Sequence, residues 1–277
     1  MKYLSKVFFV IFCSLMISAC TPALTARVKN AENTGKNNGF TQKLVKGGDF
    51  WLTTFQRITD QNKPFVFYLE GDGDAFLKYG GLTENPTPQY QFVLKLASLD
   101  NRPNVVYIAR PCQYTPMDIN PKCSPVYWSD RRMSEEVVTS VNDVIETLAK
   151  GQGVSLVGYS GGGGIAVLVA ARNKYVRDVV TLAGNLDHIS FNQHHKKRPM
   201  IGSLNPIDYA TQLSNVPQLH LSGGEDTIVP PFIADKYVKA SNSTCVHQEI
   251  YARASHQSGW ERVWKEILTI PVICYKK

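Results

Sequence analysis

The chain has 277 residues, 43% of them hydrophobic and 19% charged, a length that suits one α/β domain with a short appendage. No internal repeat is visible, which excludes a repeat array. The formal charge is +7, yet no long basic run with interleaved aromatics supports nucleic-acid binding. Lys196-Lys197-Arg198 reads as a solvated loop, and weak attraction to an anionic membrane surface is all the charge implies.

In chain order, Lys2 and Lys6 precede the apolar run Val7 to Ile17, too short to span a bilayer and typical of a secretory signal. The run ends Ile17-Ser18-Ala19-Cys20, which resembles the lipobox of bacterial lipoproteins. That resemblance implies removal of residues 1–19, lipidation of Cys20 and attachment to a membrane of the bacterial envelope. Thr21-Pro22 follows without an aspartate, as in lipoproteins sent to the outer membrane, where the protein would face the periplasm. Residues 20–39 are polar and rich in Asn, Lys, Thr and Gly, and are expected to form a flexible tether. Residues 40–277 remain as the folded domain.

Within it, Phe50 to Ile58 is expected as an antiparallel arm at a sheet edge. Apolar strand-like runs then alternate with helical patterns. Strands are expected at Phe65–Leu69, Val105–Ala109, Val154–Val157, Val179–Leu182, Leu219–Leu221 and His247–Tyr251. Helices are expected near Gln89–Ser98, Ser134–Lys150, Gly162–Arg172, Pro231–Ala240 and Ser258–Leu268. Such alternation predicts a mainly parallel central sheet with helices on both faces. Ala183 to Thr211 is the longest irregular stretch and the natural short cap.

Gly158-Tyr159-Ser160-Gly161-Gly162 fits G-x-S-x-G and joins an expected strand to an expected helix. A serine on such a turn has its hydroxyl pushed out over the sheet edge, while the first helical amides face the reacting centre. The hydroxyl becomes a nucleophile when an imidazole accepts its proton, and the imidazole needs a carboxylate to fix its tautomer. Downstream, Asp226 follows the strand Leu219–Leu221 and His256 follows the strand ending at Tyr251. The order Ser160, Asp226, His256, each just past a strand end, resembles the α/β-hydrolase superfamily over roughly residues 40 to 275. The resemblance implies an α/β-hydrolase fold and a catalytic triad of these three residues. Glu70-Gly71-Asp72-Gly73, after the strand Phe65–Leu69, is placed like that superfamily's His-Gly-x-Gly oxyanion loop. Carried over, the backbone N–H groups of Asp72 and Gly161 would form the oxyanion hole. The departure is Glu70 where many members have His, with further carboxylates at Asp72 and Asp74. These would oppose a developing negative charge unless they point away or pair with bases.

His220 and His247 sit inside strand runs and read as structural. His188, His194 and His195 fall in the cap, where adjacent histidines lack the i, i+4 spacing of a helical metal pair, so a solvated loop is expected. Asp187 rivals Asp226 as the acid, but Gly-x-x-Asp-x-x-Val-Pro resembles the superfamily's acid turn. Cys112, Cys123, Cys245 and Cys274 remain after Cys13 and Cys20 are set aside, and in an oxidising compartment they allow three connectivities. The pairing chosen is Cys112–Cys123, closing a proline-rich loop, and Cys245–Cys274, tying the tail to the last strand. Metal binding by these four is not expected, since no C-x-x-C occurs.

The function expected is an envelope-anchored serine hydrolase acting on a small acyl substrate, carboxylesterase-like, without a metal or organic cofactor. Thioesterase, lipase and peptidase share the constellation. A hydrolase-fold binding protein without activity is the alternative that the acidic loop Glu70–Asp74 favours.

Overall fold

The computed structural model describes residues 20–77 and 80–275, so the expected leader, residues 1–19, lies outside the described residues. One sheet contains β1 (Thr41–Gly47), β2 (Phe50–Ile58), β3 (Phe65–Leu69), β4 (Asn104–Ile108), β5 (Val154–Tyr159), β6 (Val176–Leu182), β7 (Gln218–Gly223) and β8 (Val246–Tyr251). The spatial order is β1-β2-β4-β3-β5-β6-β7-β8. β2 pairs antiparallel with β1 and with β4, and every pairing among β3 to β8 is parallel. The connection out of β3 runs to one side and that out of β5 to the other. Their C-terminal ends therefore splay around a crevice, the place where open α/β sheets collect ligands.

Period-2 alternation divides the side chains between two cores. Phe65, Phe67 and Leu69 of β3 join one core with Val106 and Leu156, whereas Val66 and Tyr68 join the other with Val105 and Tyr107. The first face is covered by α3 (Glu135–Ala149), α4 (Gly161–Ala170) and α6 (Phe232–Ser241). The second is covered by α1 (Cys20–Asn37), α2 (Phe92–Ser98) and α7 (Trp260–Ile267), with Trp260 and Trp264 fully buried. All ten residues of α4 are buried, so this helix reads as apolar all round rather than amphipathic.

The expected flexible tether is corrected here, because residues 20–37 form α1. Ala31 is buried in the second core, and Gly35 lies so close to Phe55 that a Cβ there would stand 2.5 Å from the ring. Arg27 donates to the Thr87 carbonyl and pairs with Asp74 at 2.9 Å, so the early part of α1 is fastened beside the crevice. A polar composition did not prevent folding, because one apolar stripe and one arginine found partners on the domain. α2 begins at Phe92 rather than Gln89, since Pro88, Gln89 and Tyr90 instead line the crevice. The cap holds a short helix, α5 (His188–His194), where irregular chain was expected. Both disulfides form with the expected pairing, Cys112–Cys123 and Cys245–Cys274. No helix among the described residues is long and apolar enough to cross a membrane.

Candidate active site

Ser160 occupies the turn between β5 and α4 at φ 52°, ψ −120°, a left-handed backbone that a side chain other than glycine adopts only under constraint. The constraint is close packing. A Cβ on Gly158 would stand 2.3 Å from the Gly162 carbonyl oxygen, and one on Gly162 would stand 2.4 Å from the carbonyl oxygens of Leu69 and Glu70. Glycine at both positions lets β3, β5 and the start of α4 meet, and the turn delivers the Ser160 hydroxyl above the sheet.

Ser160 Oγ lies 3.0 Å from His256 Nε2, and His256 Nδ1 lies 2.8 Å from Asp226 Oδ2. The other carboxylate oxygen of Asp226 accepts the main-chain N–H groups of Ile228 and Val229 at 2.8 and 2.9 Å, which fixes the acid in its turn. His256 rests at a ring separation of 5.2 Å on Tyr159, the residue before the serine. The three residues expected from chain order are thus one hydrogen-bonded line. Asp187 is elsewhere: its Oδ1 accepts from the Ser190 N–H and from Asn205 Nδ2, capping α5.

The other histidines divide. His220 is buried with Nδ1 2.8 Å from Thr181 Oγ1, and burial pulls its pKa down to about 3, so it stays neutral in the core. His247 Nε2 meets the Thr244 carbonyl and the ring packs on Tyr275. His194 and His195 are solvent-facing or partly so, but His188 corrects the expectation of a solvated loop, being 4% exposed. Among the described residues, no group of three His, Cys, Asp or Glu side chains could hold a metal ion.

The segment Glu70-Gly71-Asp72-Gly73, for which an oxyanion loop is expected, follows β3 and touches the turn that carries Ser160. A Cβ on Gly71 would stand 3.3 Å from Ser160 Cβ, and one on Gly161 would stand 2.0 Å from Asp72 Oδ1. The three carboxylates that threatened this arrangement are each accounted for. Asp74 pairs with Arg27. The Asp72 carboxylate lies 3.4 Å from Arg110 Nη1 and 3.2 Å from Arg132 Nε. Glu70 accepts from its own neighbour, the Gly71 N–H, at 2.9 Å and from the Tyr107 hydroxyl at 2.8 Å. Burial raises its pKa to about 7, against the lowering effect of the Gly71 amide, the Tyr107 hydroxyl and Arg110. Gln113 completes the loop by donating to the Gly71 carbonyl at 3.0 Å and accepting from the Arg110 N–H.

Arg110 and Arg132 escape a reading based on motifs. A signal for Arg110 exists, since it follows the buried run of β4 by two residues at the same sheet edge as the other site residues. Arg132 offers none, because it precedes α3 in a turn far from any motif.

A cavity of about 340 Å³ opens over Ser160 and His256 and is bounded by Glu70, Asp72, Arg132 and, from the cap, Phe191 and Lys197. No protein-family model matches the sequence, and no curated protein sequence does either. Solved structures do match. An esterase from Pyrococcus furiosus superposes with a TM-score of 0.62 at 12% identity, covering 84% of this chain and 91% of that one. A protein from Acinetobacter baumannii designated a lipase gives 0.61 at 12% identity, with coverage of 88% and 93%. An acylaminoacyl peptidase from Pyrococcus horikoshii gives 0.60 at 12% identity; 86% of this chain is covered but only 43% of the peptidase. The chain has the α/β-hydrolase fold. That fold is shared by these esterase, lipase and peptidase structures.

Proposed function

We propose that the protein is a serine hydrolase that cleaves a carboxylic ester or related acyl substrate through an acyl-enzyme. The observation that carries this reading is the unbroken line from Ser160 Oγ through His256 to Asp226 at 3.0 and 2.8 Å. In it, Ser160 attacks the carbonyl, His256 takes the hydroxyl proton and returns it to the leaving group, and Asp226 holds the imidazole and stabilises its charged form. The N–H groups of Asp72 and Gly161 receive the oxyanion, and Arg110 and Arg132 balance the Asp72 carboxylate beside it. Water then releases the acid, and this sequence needs no metal or organic cofactor. The acidic loop no longer favours an inactive binding protein, since each of its carboxylates is paired or buried with partners. A fluorophosphonate probe should label the wild type and not Ser160→Ala; labelling of neither protein would overturn the reading.

The substrate proposed is short or polar in its acyl part. The cap segment from Ala183 to Thr211 carries Asn, His, Lys and Arg with few contiguous large apolar residues, and each methylene left in water forgoes about 0.8 kcal/mol. Activity on p-nitrophenyl esters should fall from acetate towards palmitate; a steady rise would favour a lipase. A peptidase with the same line of residues is the second reading, supported by the fold shared with the acylaminoacyl peptidase.

Attachment to the bacterial envelope through lipidated Cys20 is likewise proposed, on the sequence from Ile17 to Cys20. Incorporation of labelled palmitate that persists in Cys20→Ser would sink it.

A further inference from the structure

Charges around the cavity beside Ser160 are unevenly paired. Arg110 and Arg132, each 5% exposed, stand in its wall or immediately behind it, and Lys197 enters from the cap. Of the carboxylates nearby, Asp74 is engaged by Arg27 and Asp226 by His256, which leaves Asp72 and Glu70 to face these three cations. Asp72 is shared between both arginines, and Glu70, pushed up to about 7 by burial, carries only part of a charge near neutrality.

The two arginines differ in what they leave free. Arg110 donates through Nη2 to the Arg132 carbonyl and through Nη1 to Asp72. Arg132 comes nearest to Asp72 through Nε, 3.2 Å away and outside hydrogen-bonding geometry, and its Nη atoms make no hydrogen bond to a described residue. A buried guanidinium thus lines the cavity with the two-pronged end uncommitted, the geometry that grips a planar or tetrahedral oxyanion in two hydrogen bonds.

Lys197 faces it across an aromatic wedge. Its ammonium lies 5.5 Å from the Phe76 ring and 5.3 Å from the Phe191 ring, while the Arg132 guanidinium lies 5.8 Å from Phe76. Aromatic faces hold a cation without neutralising it. Burial, and then repulsion from Arg132, holds the Lys197 ammonium below the usual lysine range against the smaller opposing pull of Asp72, so the two cations sense one another. An anion between them would relieve that repulsion.

We propose that Arg132 and Lys197 form an anion-binding subsite, so that the substrate carries a carboxylate or phosphate group near its scissile acyl bond. This rests on the serine-hydrolase reading for its catalytic test. At low ionic strength the wild type should turn over 4-nitrophenyl hemiglutarate with a kcat/KM on the order of tenfold or more above that for 4-nitrophenyl valerate. The preference should shrink several-fold in Lys197→Gln and reverse in Lys197→Glu. Because each variant is its own reference, a general loss of activity does not disturb the ratio. Arms with monomethyl glutarate and inorganic phosphate as inhibitors of 4-nitrophenyl acetate hydrolysis, at matched ionic strength, separate carboxylate from phosphate chemistry. Equal or lower kcat/KM for the anionic ester, or a preference that Lys197→Glu does not move, would overturn the subsite. If neither ester is turned over and the fluorophosphonate does not label Ser160, the hydrolase reading fails by itself. Whenever neither ester is turned over, with or without labelling of Ser160, calorimetry decides the subsite: glutarate or phosphate should bind the wild type and not Lys197→Glu, and absent or equal binding overturns it.

Discussion

Two acidic turns flank Ser160, and they use their carboxylates in different ways. In the turn after β7, Asp226 accepts two main-chain N–H groups on one oxygen and the His256 imidazole on the other. In the turn after β3, Glu70 accepts one main-chain N–H and one phenol, with no cation in hydrogen-bonding contact. The first carboxylate orients a side chain, and the second ties down a stretch of backbone that lies against Ser160. The lesson is that a charged residue after a strand is not by itself a catalytic acid; the donors gathered around it decide its task.

Removal of the orienting line should have the largest effect. Ser160→Ala and His256→Ala are each expected to remove nearly all turnover, and the double variant should be little worse than either, because residues acting as a unit are not additive. Asp226→Asn should lower kcat by roughly 10³–10⁴-fold with substrate binding nearly intact. Asp187→Asn should leave kcat alone, since Asp187 caps α5. Steady-state kinetics on a short-chain ester checks all four, and damage confined to Asp187→Asn would move the acid to the cap.

The two disulfides sharpen the same contrast. Cys245–Cys274 closes 29 residues at the start of β8, the sheet end away from Ser160. Its double serine variant should lose about 3–4 kcal/mol of stability and keep its kcat. Cys112–Cys123 closes 11 residues beside Arg110 and Gln113, which brace the loop after β3. Its double serine variant should lose roughly 3 kcal/mol and also lose turnover. Denaturant melts with kinetics on the folded fraction would test this; equal kcat in both variants would detach the loop from its brace.

Glu70 should show itself through pH. Its pKa rises on folding from 4.5 to about 7, so between those values the unfolded chain gives up the proton that the folded chain retains. The stabilising contribution is therefore full below about pH 4.5 and is lost as pH rises through about 7, a change of roughly 3 kcal/mol. Glu70→Gln, which keeps an acceptor for the Gly71 N–H, should flatten that slope in melts taken from pH 5 to 8. A slope unchanged in the variant would assign it to other groups.

Much of this was legible in one dimension. The strand runs, the glycine-flanked serine and the order Ser160, Asp226, His256 are local patterns, because period-2 burial and a turn that needs small residues leave marks within a few positions. The fate of residues 20–39 was not, since a polar helix with one buried alanine looks like linker until the surface that receives Ala31 and Arg27 exists. His188 escaped for the same reason, its burial being created by the folding of the cap.

What the sequence determined by itself is the alternation that builds a parallel sheet and the three residues its strand ends present, because each depends on neighbours along the chain. Only the tertiary structure decided the electrostatics. Arg110 and Arg132 reach Asp72 from 38 and 60 positions away, Arg27 reaches Asp74 from 47, and Lys197 crosses from the cap to the aromatic wedge. Coulomb interactions depend on distance through space and on the water excluded between charges, and neither quantity exists until the chain has folded.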